Sequence, residues 1–419
     1  MASTFQSCRV LLALLGLWAA SPSPALDLHQ ATELALQRDA ALPAMAAERR
    51  ALEELAVADA ALPDPELLFG ARGVPVDDPL DADMMTQYQL GLRQRLPNAE
   101  ARRLAGERRL GQADLQVHAE RLRRLEVRRE VQQAWLEWTA SRLRIDRLDE
   151  AARLLEEWVE LTESRYRIGS GRQRDVDLAR LELARLEQRR LEALASQARA
   201  ATRLQRWTGR GPQAQAPASW PEWPALDALE ALIDASEMHP RMELRRARIE
   251  IGHIEQAQAR ADYRPDWMIE AGYAHTRGRD PMTQRRQSDK FFAMVSVSLP
   301  LFTDSRQDRR LAAARERSRE QSERLSLETQ IVEGELRTEH AQFEHQRDVA
   351  RLIEERILPQ AHQTLESTLS AYRNDRASFD ELIRAQLELL EREIDLIGAR
   401  HAWQAARSEL AYWTSEDLQ

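Results

Sequence analysis

Metal ligation needs histidines, cysteines or carboxylates presented together from one face of an element. His340 and His345 are five residues apart and do not share a helix face; His253 follows Glu250 by three and makes only an isolated pair. The nine histidines are scattered and the one cysteine is Cys8. That excludes a disulfide framework, a cysteine-based zinc site and a cysteine nucleophile. No phosphate-binding GxxxxGK[ST], no GxSxG, no HExxH and no GxGxxG occurs. Carboxylates are abundant because the surface is charged and helical, not because they are paired for acid–base work. The expectation is a chain without catalytic residues, cofactor or metal site. The acids that recur in a pattern are Asp175 and Asp177, then Asp380 and Glu381, each flanked by arginines (Arg172, Arg174, Arg376, Arg384).

The elements that must position these groups follow from composition. The chain has 419 residues, 31% of them charged and only 5% aromatic, with a mean hydropathy of −0.58. Gly (15) and Pro (17) are scarce, and Leu, Ala, Glu, Gln and Arg dominate, as in long helices and coiled coils. The net charge of −9, with Lys290 the only lysine, offers no basic excess for a phosphate backbone, so nucleic acid is not an expected partner.

At the start, Arg9 precedes the apolar run Val10 to Ala20, followed by SPSPA. This reads as a signal peptide over 1–25, with Ser23 and Ala25 at the −3 and −1 positions of the cleavage site. The run is too short to span a bilayer as a helix. Cys8 lies before it rather than directly after it, which argues against a lipid anchor. No later segment is apolar enough to cross as a helix, so residence in a membrane would require β-strands.

The chain repeats itself. YRIGSGRQRDVDLARLEL from Tyr166 aligns without gaps with YRNDRASFDELIRAQLEL from Tyr372. ALPDPELLFGARG (61–73) resembles ADYRPDWMIEAGYA (261–274), and YQLGLRQRLPNAEARR (88–103) resembles FAMVSVSLPLFTDSRQDRR (292–310). Two halves, 26–208 and 226–413, are joined by a Pro- and Gly-rich linker, 209–225, with a short tail at 414–419. In the first half the pattern predicts helices over 27–61, 98–166 and 174–207 and strands over 64–74 and 84–96. In the second it predicts helices over 226–260, 304–372 and 379–413 and strands over 265–277 and 290–302. The 98–166 helix would be about 100 Å long at about 1.5 Å per residue. The two shorter helices of its half, laid end to end, match it, so each long helix is expected to lie antiparallel to a pair of short ones. Pro359 predicts a local kink. Val176, Ala179, Leu183 and Leu186 step by 3-4-3, as do Leu382, Ala385 and Leu389, and then Leu396, Ala399, Trp403, Ala406 and Leu410: coiled-coil spacing with close approach at the alanines.

The strands alternate. Tyr88, Leu90, Leu92 and Leu96 oppose Gln87, Gln89, Arg93 and Arg95; Trp267, Ile269, Ala271 and Tyr273 oppose Asp266, Glu270, Gly272 and Thr276. Leu67, Phe69 and Ala71, and Phe291, Ala293, Val295 and Val297, continue the apolar set. Such lengths suit tilted membrane crossings. A soluble β-layer under helices is the alternative. Against it, four strands leave two open edges, which lipid does not tolerate. Closure by copies gives a multiple of four strands, eight from two or twelve from three, and the pattern does not fix which.

The two-half plan, the ALPDPEL segment before the first strand and the paired turns at Tyr166 and Tyr372 resemble the outer membrane efflux protein family, which is TolC-like. The stretches ALPDPELLFGARGVPVDD and MTQYQLGLRQRLPN look most like its heavy-metal efflux, CzcC-like branch. The resemblance implies a mainly α fold with a membrane β-barrel. It implies a homotrimer whose four strands per protomer close a 12-stranded barrel in outer membrane lipid above a long α-helical coiled-coil tunnel in the periplasm. It implies a passive conduit, not an enzyme, docking onto a periplasmic adaptor (a membrane fusion protein) and an inner-membrane pump of the resistance-nodulation-division type, with heavy-metal cations as cargo. A drug-efflux or type I secretion channel of the same fold is the alternative, and a periplasmic coiled-coil adaptor without a pore is a third. The resemblance places the adaptor-docking tips at Tyr166, Arg167, Gly169, Gly171, Tyr372, Arg373, Asn374, Asp375 and Ser378. It places an entrance gate and cation-selective rings at Asp175, Asp177, Asp380, Glu381 and Arg384. Asn374 and Asp375 stand where the first tip has its glycines, and both tolerate the left-handed region. Ala377 occupies a position where family gates carry arginine. The simpler reading of these acids is that they complement helix N-termini.

Overall fold

The computed structural model describes residues 27–74, 86–211, 219–277, 282–283 and 285–418. The expected signal peptide, 1–25, lies outside the described residues, as does 212–218 of the linker. The described chain is mainly α-helical with one antiparallel four-stranded sheet.

The central element of the first half is α3 (Ala99–Arg167), an unbroken helix capped at its start by Asn98, whose side chain accepts from the Glu100 amide. It contains no proline and few glycines, so nothing interrupts its hydrogen-bond ladder. Where one helix was expected over 27–61 there are two, α1 (Leu28–Arg38) and α2 (Ala41–Ala60). Asp39 breaks them: one carboxylate oxygen accepts from the amides of Ala41 and Leu42, at 2.9 and 3.2 Å, and the other accepts from Arg123 of α3 at 2.7 Å. Burial pushes the Asp39 carboxyl up, but Arg123 and the two amides outweigh it and hold it below the ordinary carboxylate range.

Helix α2 runs antiparallel to the first half of α3. Arg109 meets Asp59, and Gly106 lets the backbones close, since a Cβ there would lie 2.8 Å from the Ala56 carbonyl oxygen. Helix α4 (Gln173–Thr208) runs antiparallel to the second half, with Arg180 on Glu163 and Arg203 on Glu137. The start of α1 and the end of α4 meet at the middle of α3, where Ala31, Ala35, Ala200 and Leu204 pack with Val127, Val131, Trp135 and Trp138. Small residues on two elements against aromatics on the third allow three helices to share one core.

The second half repeats this with its own breaks. In place of one helix over 226–260 are α5 (Leu229–Ser236) and α6 (Pro240–Ala261). Pro240 opens α6 where its missing N–H costs nothing, and His239 Nδ1 accepts from the Arg241 amide. His239 is fully buried against Tyr412 and Trp413. Burial, helped by Arg241, pushes its pKa down from 6.5 to about 4. The expected 304–372 helix starts later, as α7 (Gln307–Leu352), passes through a π-helical turn (Ile353–Ile357) and continues as α8 (Leu358–Arg373). The kink expected at Pro359 thus takes the form of a π turn just before it. Proline cannot bond the carbonyl four residues back, and the wider turn accommodates its ring. Helix α9 (Phe379–Thr414) closes the fold. Its alternating small and large buried residues, Leu382, Ala385, Leu389, Ala399, Ala406 and Leu410, form the seam that the heptads predict.

The strands β1 (Glu66–Arg72), β2 (Gln87–Leu96), β3 (Trp267–Thr276) and β4 (Lys290–Val297) lie in the order β1-β2-β3-β4, all antiparallel. Register carries Leu67 across to Leu92, Ala271 and Ala293, and Phe69 to Leu90, Tyr273 and Phe291. Gly91 and Gly272 pair at the centre of the β2–β3 ladder; a Cβ on Gly272 would meet the Leu90 carbonyl at 2.6 Å and the Phe292 ring. The strand expected to reach residue 302 stops at Val297, because Pro300 cannot donate to a ladder.

Candidate functional site

Two regions carry the residues of interest, the hairpin tips and the sheet. At the first tip, α3 ends at Arg167 and the chain turns through Gly169, at φ +75°, into α4. The amides of Ser170 and Gly171 both bond the Arg165 carbonyl, at 2.9 and 3.0 Å. A Cβ on Gly171 would lie 2.9 Å from the Arg165 Cβ, so this turn requires a residue without one. At the second tip Asp375, at φ +55°, takes the left-handed position, Asn374 keeps negative φ, and the Asn374 side chain donates to the Ser370 carbonyl. Ser378 and Glu381 form a reciprocal capping box that starts α9.

The two tips touch each other. Arg165 Nη1 donates to the Tyr372 hydroxyl at 2.8 Å, and its guanidinium lies 5.1 Å from the centre of the Tyr372 ring. Tyr372 leans on Phe379, and Phe379 on Trp158 of α3. Together with Ala179, Leu382 and Ile383 these form the core that holds the second hairpin against the first. A cleft of about 200 Å³ lies between the tips, bordered by Arg165, Arg172, Asp175, Tyr372 and Asp375.

The expected site residues divide accordingly. Tyr372, Asp375, Ser378, Gly171 and Asp175 come together at the cleft. Tyr166, Arg167, Gly169, Arg373 and Asn374 stand exposed on the ends of the tips. Glu381 is engaged in the capping box, and Arg384 pairs with Asp380 one turn back on its own helix. Asp177 accepts from Gln173 at 2.9 Å. Among the described residues no ion pair joins Asp175 or Asp177 to the flanking Arg172, Arg174 or Arg376. Arg165, Trp158 and Phe379 were not among the expected site residues. Their signal was the asymmetry of the repeat: the residues in their places in the other half are Ala371, Thr364 and Gln173.

The sheet has two unlike faces. Leu67 (73% exposed), Phe69 (82%), Leu90, Leu92, Ile269, Phe291 (87%) and Val295 form one continuous apolar face open to the surroundings. Tyr88, Tyr273 and Trp267 lie toward its margins. The opposite face carries a charged network in which Arg93 meets Glu270 at 2.9 Å and Arg95 meets Glu66 at 2.9 Å. Among the described residues, strands β1 and β4 each have one edge without a partner strand. An exposed apolar face of this extent, with ion pairs on the other side, inverts the arrangement of a water-soluble sheet. Among the described residues no helix is long and apolar enough to cross a membrane, and no group of three or more histidines, cysteines or carboxylates is placed to hold a metal ion.

Residues 31–210 match the model of the family described as outer membrane efflux protein. Among curated proteins none matches this sequence. Among solved structures the fold is similar to that of CusC, at 17% identity, covering 93% of this chain and 92% of that one with a TM-score of 0.77. It is similar to the outer-membrane channel OprN at 16% identity, covering 93% and 90% with a TM-score of 0.76. It is similar to the outer membrane protein VceC from Vibrio cholerae at 19% identity, covering 92% and 95% with a TM-score of 0.73.

Proposed function

We propose that the chain, whose residues 31–210 match the outer membrane efflux protein family, belongs to that family and is the outer membrane channel of a tripartite efflux system, a passive conduit across the periplasm and outer membrane. The observation that carries this reading is the sheet: an exposed apolar face backed by an ion-paired polar face, with a free edge on either side. Three copies joined edge to edge make a closed 12-stranded barrel with the apolar face toward lipid and the charged face toward the lumen. The helices continue that barrel into a periplasmic tunnel, with the hairpin tips at the far end, where a periplasmic adaptor and an inner-membrane resistance-nodulation-division pump engage them. The pump supplies the energy, and the conduit supplies shape and charge.

At the tips, Asp175 and Asp177 become rings of three in such an assembly and favour cations. The Arg165–Tyr372 contact ties the two hairpins of one protomer together and acts as a latch of the closed entrance. Heavy-metal cations are the proposed cargo, supported by the acids Asp175 and Asp177 near the entrance.

Deletion of the gene with plasmid rescue tests this on a panel of copper, silver, zinc, cobalt and cadmium alongside dyes, detergents and antibiotics. Rescued sensitivity confined to metals is the expected result. Rescue confined to drugs and detergents would remove the metal cargo and keep the conduit. Absence of a heat-modifiable oligomer from the outer membrane fraction would remove the conduit itself.

A further inference from the structure

The two halves differ most at one joint. Where β2 passes into α3 the link is two residues, Pro97 and Asn98; where β4 passes into α7 it is nine, 298–306. The partner links are equal in length: α2 reaches β1 through 61–65, and α6 reaches β3 through 262–266. Inside the chain the short link docks beside its partner. The Asn98 amide donates to the Asp266 carboxylate at 2.8 Å, and the Asn98 side chain donates to the Ala261 carbonyl at 3.0 Å. The long link is tied to the protomer at its first residue, where the Ser298 amide donates to the Asp266 carbonyl and the Asp266 amide donates to the Ser298 hydroxyl, both at 2.9 Å, and its apolar residues beyond that point stand exposed. Leu299, Leu301 and Phe302 are 64%, 73% and 84% exposed.

An antiparallel pairing of the β4 edge with the β1 edge of a second copy repeats the β2–β3 joint between molecules. The end of β4 then comes beside the start of β1, and 298–306 comes beside 61–65 of that second copy. That neighbourhood is apolar and open. Val57 is 71% and Leu62 48% exposed, and a groove of about 550 Å³ lies between α2 and α3, formed by Ala56, Val57, Ala60, Gly106 and Leu110. Its rim carries Glu53, Glu107 and Arg103, with Glu53 paired to Arg49 and Glu107 to Arg103, so the rim is charge-balanced and the opening between them is apolar. The groove is shallow because α2 and α3 approach closely at Gly106 and the alanines beside it are short, and the extra residues of the long link are of a size to cover it.

We infer that Leu299, Leu301 and Phe302 form a wedge that seats on Val57 and Leu62 and fills the α2–α3 groove of a second copy of this chain, locking the subunits together at the junction of sheet and helices. The inference rests on the proposed closure of the sheet by several copies. It adds a contact that edge pairing alone does not require.

The test uses the full chain in a Cys8→Ser background, which has no other cysteine. Phe302→Cys combined with Val57→Cys, treated with a short bismaleimide in outer membranes, is expected to give covalent dimers and trimers on a denaturing gel, and each single variant only monomers. Phe302→Ser is expected to raise the subunit concentration at which the oligomer half-dissociates by about tenfold or more. Its side chain is largely exposed in the protomer, so the fold of the single chain is unaffected. An oligomer that is intact by light scattering but gives no ladder, and dissociates as before with Phe302→Ser, overturns the wedge and keeps the assembly. So does quenching of a fluorophore on the Phe302→Cys thiol by spin-labelled lipid without a ladder, which would place the segment against the membrane. A monomer in detergent under all conditions overturns both.

Discussion

Removing one hydroxyl tests the latch between the hairpin tips. Tyr372→Phe deletes the oxygen that accepts from Arg165 at 2.8 Å but keeps the ring that stacks on Phe379 and lies 5.1 Å from the guanidinium. The substitution therefore isolates the hydrogen bond from the packing. A half-buried hydrogen bond to a charged donor contributes about 1–2 kcal/mol. If only the closed entrance contains it, each protomer's balance shifts toward opening by about 5- to 30-fold, and three protomers moving together shift by about 3–6 kcal/mol. The assay is single-channel recording of the purified protein in planar bilayers, comparing the closed-state conductance and the fraction of time spent open. Tyr166→Phe is the control, since Tyr166 is exposed at the other tip and its hydroxyl has no hydrogen-bond partner among the described residues. A Tyr372→Phe channel indistinguishable from the Tyr166→Phe control would refute the latch.

Stability should fall between about pH 6.5 and pH 4. His239 is held neutral with its pKa lowered to about 4, so above 6.5 neither state takes up a proton, and below it the unfolded chain does so first, costing up to about 3 kcal/mol. Thermal melts of the helical signal in detergent at pH 7 and 4.5 read this loss; His239→Gln should flatten it, and an equal loss in that variant would remove the histidine as its source. Gly106→Leu forces α2 from α3 at the Ala56 carbonyl and should lower stability by about 1–3 kcal/mol; an unchanged melting temperature contradicts the close approach. Leu90→Arg on the apolar face should cost about 2–4 kcal/mol per copy on insertion and deplete the outer membrane oligomer. Gln89→Arg, on the other face, should leave the oligomer intact, and equal behaviour of the two would reverse the assignment of faces.

What could be read ahead of the structure follows the range of the forces involved. Helix α3 was legible because a long stretch without proline is a purely local property. The strands were legible because period-2 alternation places Leu90 and Leu92 on one face whatever their partners. The helix breaks were less so. Asp39 reads as an ordinary surface acid until Arg123, far along the chain, is brought to it, whereas Pro240 was a local stop signal inside a segment assigned to one helix. At the tips, the turn at Gly169 follows from backbone sterics. The Arg165–Tyr372 contact does not, because it joins residues from the two repeats and each looks like an ordinary helix residue alone. Glu381 shows the opposite case: an acid expected to face a pore is engaged by the capping box that its spacing from Ser378 already encoded.

The π turn gives the two hairpins different mechanics. The first is built on α3, one unbroken rod from sheet to tip. A tilt of about 3° at the sheet end of a rod about 100 Å long displaces its far end by about 5 Å, so such a rod acts as a lever. The second hairpin is reached through α7 and α8, which meet at Ile353–Ile357, where the hydrogen-bond ladder is widened ahead of Pro359. That joint is a hinge about four turns from the tip at Arg373. Displacement of the second tip is thus absorbed at the joint and need not reach the sheet, while displacement of the first is transmitted along its whole length. A force applied at the far end moves one arm and is felt through the other.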